Sequence, residues 1–146
     1  MADDRILDIK NLSVWYNTYR GYAKVVDGID FHVNRGEKGG LVGESGCGKT
    51  TTMKTVLQVL EPSSIHIPNG QILFNGNDIL QMNYHELQEV RRKSVSMISQ
   101  APMAALNPVF TVGQQLADII KYSGQYEGKS KKEHLEIAKE AIKSVM

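Results

Sequence analysis

The sequence predicts an α/β fold, and three features carry that expectation. A glycine-rich stretch, residues 43–50, stands between a short apolar run at 39–42 and an amphipathic run at 49–60. Two β-like segments precede it. Two segments of helical spacing close the chain. With 146 residues the chain is long enough for one domain with a hydrophobic core.

Each element has its own signal. Residues 6–16 alternate, Ile6, Asp8 and Lys10 against Leu7, Ile9 and Asn11, with Leu12 and Val14 continuing the pattern, as a strand requires. Residues 17–22 read as a loop. Residues 24–33 read as a second strand, interrupted around Asp27-Gly28, and Asn34-Arg35-Gly36-Glu37 as a turn. Residues 39–42 form a third, short strand that runs into the glycine-rich loop. Over 49–60, Met53, Val56, Leu57 and Leu60 recur at helical spacing, with Pro62 just beyond the end. Residues 71–74 are a strand, Asn75-Gly76 a turn, and 95–99 a further strand. Asn83-Tyr84-His85-Glu86 looks like a capping box that opens a short helix.

The tail predicts two helices. Thr111-Val112-Gly113-Gln114 caps the first, whose inner face is Val112, Leu116, Ile119 and Ile120. Ser130-Lys131-Lys132-Glu133 caps the second, whose apolar face is Leu135, Ala138, Ala141, Ile142 and Val145. That pattern still runs at Met146 with no Gly, Asn or Pro to end it, so the natural protein is expected to continue.

Bulk composition narrows the function classes. The net charge of +1 argues against a dedicated nucleic-acid binder. One cysteine, Cys47, cannot form an intramolecular disulfide, which fits a reducing compartment. The polar start carries no signal peptide, and no apolar run approaches the roughly 20 residues that span a bilayer. Direct membrane insertion is therefore not expected, and any work at a membrane needs another subunit to hold the chain there. His32, His66, His85 and His134 are scattered without ligand spacing. The cluster around Lys129 to Lys132 reads as a solvated helix start.

The chemistry lies in Gly43-Glu44-Ser45-Gly46-Cys47-Gly48-Lys49-Thr50, which matches G-x-x-x-x-G-K-[ST]. A chance match in such a chain has odds of roughly one in two hundred, and a strand before and a helix after lower it further. Gly46 and Gly48 let the backbone curl so that N–H groups converge on phosphate oxygens. The helix after the loop adds the positive end of its dipole. Lys49 reaches the β- and γ-phosphates, the Thr50 hydroxyl can bind Mg²⁺, and Thr51 can donate toward the α-phosphate. Cys47 reads as a small residue in a variable slot, although a helix N-terminus favours a thiolate.

From Gly43 to Thr52 the run GESGCGKTTT resembles an ATP-binding-cassette (ABC) ATPase. About fifty residues on, Ser99-Gln100-Ala101-Pro102-Met103-Ala104-Ala105-Leu106-Asn107-Pro108 resembles the Q-loop region of dipeptide and oligopeptide importer ATPases, and Val109 to Gly113 continues the likeness. Ala101 stands where that family usually has an acidic residue, and Gly39 where it has a bulkier one. The resemblance implies the front half of an ABC nucleotide-binding domain: a core with an antiparallel β subdomain over 1–110 and the start of a helical subdomain over 111–146. It implies ATP and Mg²⁺ as ligands, Gln100 as a ligand of Mg²⁺ and the attacking water, and Tyr16 as the ring that stacks on adenine. It also implies a second ABC ATPase subunit, in a homo- or heterodimer, and membrane permease subunits as partners, at the cytoplasmic face of the cell membrane. ATP hydrolysis powering uptake of peptides or related small solutes is the function implied for the parent.

The L-S-G-G-Q signature, the Asp-Glu strand end and the switch histidine of that family do not occur in the sequence. Without the groups that position water, the chain alone is expected to be a poor catalyst. Rival readings are a non-transport ABC ATPase of the DNA-repair or translation type, another phosphate-loop enzyme such as a nucleotide kinase or GTPase, and a structural fragment. The L-N-P wording after Gln100 separates the first, and the strands and aromatic before the loop separate the second. The segment 103–106 is apolar and comes directly after the Gln100 region, which suggests a hinged coupling loop or a surface turn.

Overall fold

A computed structural model of the chain describes residues 4–101 and 105–145. It forms two compact units, one ending at Tyr84 and the other beginning at His85.

The first unit is built on a long hairpin. Strands β1 (Arg5–Thr18) and β2 (Gly21–Asn34) pair antiparallel, joined by a two-residue turn at Tyr19 and Arg20. Asn17, Thr18, Gly21 and Tyr22 therefore belong to the ladder and not to the expected loop. The short strands β3 (Ile65–His66) and β4 (Gln71–Phe74) both pair with β1, and β5 (Asn77–Asp78) pairs with β4. The sheet order is β2-β1-β4-β5, with β3 beside β1. The Asn75-Gly76 turn between β4 and β5 has both residues at positive φ, as a tight hairpin requires.

The alternation in β1 breaks where the ladder bulges. Register shifts fall between Ile9 and Leu12 and again between Leu12 and Val14. Asn11 takes φ 46°, and opposite it the interruption expected at Asp27-Gly28 is a bulge with Gly28 at φ 64°. Ser13 clamps that bulge: its Oγ accepts the Gly28 N–H at 2.9 Å and reaches Asp27 Oδ1 at 3.5 Å. Leu12, Ser13 and Val14 are consequently all buried in succession, beside Ile9, Val26, Ile72, Phe74 and Ile79. Asp8 is only 6% exposed and pairs with Arg5 at 3.0 Å and Lys10 at 3.4 Å. Burial pushes the Asp8 carboxyl up, but the hydrogen bonds from Arg5 and Lys10 outweigh it and hold it below the ordinary carboxylate value.

Helix α1 (Lys49–Val56) is shorter than the spacing at 49–60 suggests. Gln58 turns left-handed at φ 52°, its N–H bonds to Thr55 O at 3.0 Å, and the Val59 N–H bonds to Lys54 O at 3.1 Å. This closing pattern satisfies the last carbonyls and stops the helix before Leu60. The buried face is Thr51, Thr52, Thr55 and Val56, one step round from the expected apolar stripe.

No described residue pairs with residues 39–42, which form no strand, against expectation. Val42 is 99% exposed. Residues 95–99 behave alike: no strand forms and Ile98 is 96% exposed. An apolar run becomes a strand only when a neighbouring backbone takes its N–H and C=O groups, and none of the described residues does so.

The second unit holds α2 (Tyr84–Lys93), α3 (Val112–Tyr122) and α4 (Lys131–Lys143). α2 starts directly after Asn83, as expected. Of the three predicted capping boxes, those of α3 and α4 close: Thr111 with Gln114, and Ser130 with Glu133. The Ser130 N–H and hydroxyl hydrogen-bond the Glu133 carboxylate and hold it below its ordinary value. The buried apolar residues of α3 and α4 are small, Ala117 and Ala138, and Leu135 lies close to Gly113. His134 is buried there, Nε2 at 3.4 Å from Tyr126 O. The expected inner faces are thus shifted: Val112 and Ile119 are exposed on α3, and Ala141, Ile142 and Val145 near the end of α4. α4 stops at Lys143, where the Ser144 N–H bonds to Glu140 O.

Candidate functional site

The phosphate-loop residues are brought together where the sequence places them. The loop has the curl of an anion cradle. The Cys47 N–H bonds to Glu44 O at 3.3 Å, Gly46 takes φ 84° and Gly48 takes φ 95°. Gly48 is the residue that caps α1, and no side chain bonds the first-turn N–H groups. No acidic residue lies in that turn, so the positive end of α1 is left open to an anion. At Gly48 a Cβ would stand 2.8 Å from Val25 O and 3.2 Å from Val26 Cγ2, so β2 presses on the loop from behind. That backing by β2 is not visible in the sequence, because it joins residues far apart in the chain.

Lys49 braces the loop from within. Its Nζ donates to Gly43 O at 2.8 Å, to Glu44 O at 2.7 Å and to Cys47 Sγ at 3.4 Å. The ammonium therefore sits over the turn that Glu44, Ser45 and Gly46 describe. Behind it, the Thr52 hydroxyl donates to Gly48 O at 3.0 Å and the Thr55 hydroxyl to Thr51 O at 2.8 Å, both buried. These bonds tie the first turns of α1 to the loop.

Three threonines in a row face different tasks. Thr50 is exposed, and among the described residues its hydroxyl has no partner. Thr51 is nearly buried, and its Oγ1 lies 3.4 Å from the Tyr16 hydroxyl. Thr52 is committed to Gly48. Tyr16 is thus half-buried on the α1 side of β1, opposite Ala23 on β2 and Ile65 on β3. Cys47 is exposed.

Gln100 belongs to the second unit. It is exposed in a bend, not at the end of a strand as expected, and the Ala101 N–H bonds to Ser99 Oγ at 3.2 Å. Of the expected apolar segment, 103 and 104 lie outside the described residues, as does Pro102. Ala105 and Leu106 are exposed. Sequence reasoning missed Gln115 on α3. Its side chain accepts the Asn107 N–H at 2.9 Å and donates to Asn107 O and Phe110 O at 2.9 and 3.0 Å. This fastens the Asn107-Pro108 turn to α3.

Among the described residues no group of three His, Cys, Asp or Glu side chains could hold a metal ion, and no helix is long and apolar enough to cross a membrane. A groove of about 270 Å³ lies at the other end of α1, lined by Thr55, Gln58, Leu60, Pro62, Ile65 and Ile67. It has no charged side chain to hold a phosphate, so the loop is the stronger candidate site.

Comparison with known proteins agrees with this geometry. Residues 26–145 match the family model described as ABC transporter. The chain is 39% identical over 117 residues to the dipeptide transport ATP-binding protein DppD of Bacillus subtilis, covering 80% of the chain and 35% of that protein. It is 34% identical over 139 residues to the oligopeptide transport ATP-binding protein OppD of the same organism, covering 95% of the chain and 36% of that protein. The chain thus spans little more than a third of the length of these relatives. Its fold matches MJ0796, a bacterial ABC transporter cassette solved as a dimer, with a TM-score of 0.77 at 20% identity over 94% of the chain and 56% of that structure. A second structure of MJ0796, bound to ADP and Pi, matches equally well.

Proposed function

The chain belongs to the ABC transporter family, and we propose that it forms the nucleotide-binding front part of an ATPase that powers peptide uptake. The observation that carries this reading is the phosphate loop, curled at the open N-terminus of α1 with Lys49 Nζ lodged over it. The names of the similar proteins, dipeptide and oligopeptide transport ATP-binding proteins, support peptides or related small solutes as cargo.

In this reading the ATP phosphates lie in the loop from Gly43 to Thr50. The backbone N–H groups of Glu44, Ser45, Gly46, Cys47, Gly48 and Lys49 supply donors, and Thr51 closes the α-phosphate side. Lys49 exchanges its carbonyl acceptors for β- and γ-phosphate oxygens. That exchange costs little, because a charged acceptor replaces neutral ones. Tyr16 offers a ring for the adenine. The free Thr50 hydroxyl is a hard oxygen suited to Mg²⁺, and the Gln100 amide oxygen is a second. Gln100 also orients the attacking water and couples the site to a permease through the segment after it. The division at 110/111 between nucleotide-binding core and helical subdomain belongs to the same proposal. So do a second ABC ATPase subunit, docking on membrane permease subunits at the cytoplasmic face, and the absence of a nucleic-acid partner.

Because the sequence has neither L-S-G-G-Q nor an Asp-Glu strand end, the chain by itself binds ATP weakly and turns it over no faster than background. A steady-state phosphate-release assay on the purified chain tests this. Turnover near ~1 s⁻¹ that is abolished by Lys49→Ala contradicts it.

A further inference from the structure

The face of β1 that points away from α1 carries an aromatic cluster with no part in the phosphate site. Trp15 lies across from Lys24 on β2 and from His66 on β3. Its ring is 5.7 Å from Tyr22 and 5.8 Å from His66, and Tyr22 stacks on His66 at 5.1 Å. The Lys24 ammonium sits 4.6 Å over the indole. We propose that Trp15, Tyr22, His66 and Lys24 form a register lock that keeps the Tyr16 ring on the α1 side of the sheet and so supports its stacking on a nucleotide base. The proposal rests on the reading of Tyr16 as the base-stacking ring. The four are positioning residues, since none touches the loop.

The need for a lock arises in the ladder. Between Val14 and Trp15 the register steps by one residue on β1 and by two on β2, from Val26 to Lys24. A bulge at that point disrupts the ladder locally, so the register beyond it is set separately from the register before it. A slip of one residue turns each side chain to the other face. Here it would exchange the Trp15 indole with the Tyr16 phenol. Beyond the bulge β1 and β2 keep four pairs up to the two-residue turn, whereas β3 adds only two residues on the other side of β1. The Tyr16 hydroxyl does not hold the ring firmly, at 3.4 Å from Thr51 Oγ1.

The cluster draws one ring from each of three strands, so it resists that slip. The Trp15 indole N–H is buried and has no acceptor among the described residues. No hydrogen bond therefore sets the indole's orientation among the described residues, and the ring faces and the Lys24 cation each count.

The experiment measures binding of ATP and of inorganic tripolyphosphate to the 146-residue chain. Trp15 is the single tryptophan, so its emission reports on the cluster directly. In the Tyr22→Ala/His66→Ala double variant, affinity for ATP is expected to fall about fivefold, a partial loss of one stacked base. Affinity for tripolyphosphate stays unchanged and Trp15 emission shifts to the red. Tyr22→Phe/His66→Phe keeps the ring faces and restores the ratio of the two affinities. If the double Ala variant leaves that ratio unchanged while Tyr16→Ala lowers it, the lock is wrong and the Tyr16 reading stands. If Tyr16→Ala also leaves the ratio unchanged, base stacking by Tyr16 is wrong and the lock falls with it. Equal loss for both ligands reduces the cluster to general stability and overturns the proposal. Should the double variant not fold, Lys24→Met removes the cation and leaves the rings; a roughly twofold drop in the ratio supports the lock, and an unchanged ratio and emission overturn it.

Discussion

The phosphate loop and the segment around Gln100 are both short, and each comes after a run read from the sequence as a strand. Residues 39–42 and 95–99 look alike in structure: neither pairs with a described residue, and Val42 and Ile98 are almost fully exposed. The two regions part in the residues just beyond these runs. After residue 42 the chain closes on itself within about ten residues, because Lys49 bonds back to Gly43 and Glu44 and Thr52 bonds back to Gly48. After residue 98 the Ala101 N–H bonds to Ser99 Oγ, and the next described bonds fasten Asn107 to Gln115 on α3. A site whose hydrogen bonds are local, and which β2 supports from behind, keeps its shape without an ordered strand before it. Among the described residues, the Gln100 segment has no comparable internal brace.

This contrast predicts where substitution hurts. The largest effect is expected at Gly48→Ala, which meets both a left-handed φ and a backbone oxygen at 2.8 Å. The first unit should lose about 2–4 kcal/mol of folding stability, read by urea denaturation. Gly46→Ala meets the φ penalty alone, since nothing lies within 4 Å of its Cβ position. It should cost about 1–2 kcal/mol. Equal costs at the two glycines would mean that β2 does not back the loop.

Asp8 tests the sheet beneath the loop. Its carboxyl is held below the ordinary value, so its contribution is complete above the unfolded carboxylate pKa and disappears as pH falls through the lowered folded value. Asp8→Asn should therefore be less stable than wild type near neutral pH and equal to it in strong acid. A gap that persists unchanged across that range would assign the loss to packing and not to charge.

The smallest effect is expected at Gln100→Ala. The side chain is exposed, and stability of the chain should change by less than about 0.5 kcal/mol. In an intact transporter the same change should lower transport-coupled hydrolysis far more than ATP binding. Wild-type coupled hydrolysis and transport would leave only a surface turn.

Much of this contrast is legible in the sequence, and the reason is locality. The loop, the capping boxes of α3 and α4, the 71–74 strand and the Asn75-Gly76 turn are set by residues within a few positions of one another. The paired bulges at Asn11 and Asp27-Gly28 are half-visible, since β2 carries a glycine but β1 signals its kink only through an asparagine. The helix faces are misjudged where the buried residue is small: Ala117 and Ala138 are the buried apolar residues of α3 and α4, and the larger Ile119 stays outside at 65% exposure. The strands at 39–42 and 95–99 are misjudged because an apolar run reads the same whether or not a backbone lies beside it. The contacts of Val25 with Gly48 and of Tyr16 with Thr51 join distant positions, and no local pattern announces them.

The central claim is that the loop at the start of α1 is a preformed phosphate cradle closed by Lys49. An amide-resolved NMR titration of the chain with ATP tests it most directly. The account predicts saturable shifts in the N–H signals of residues 44–51, with Lys49→Ala weakening binding by about 1.5–3 kcal/mol, the worth of a hydrogen bond to a charged group. Amides of 44–51 that do not move at millimolar ATP, or that move identically in wild type and Lys49→Ala, would contradict it.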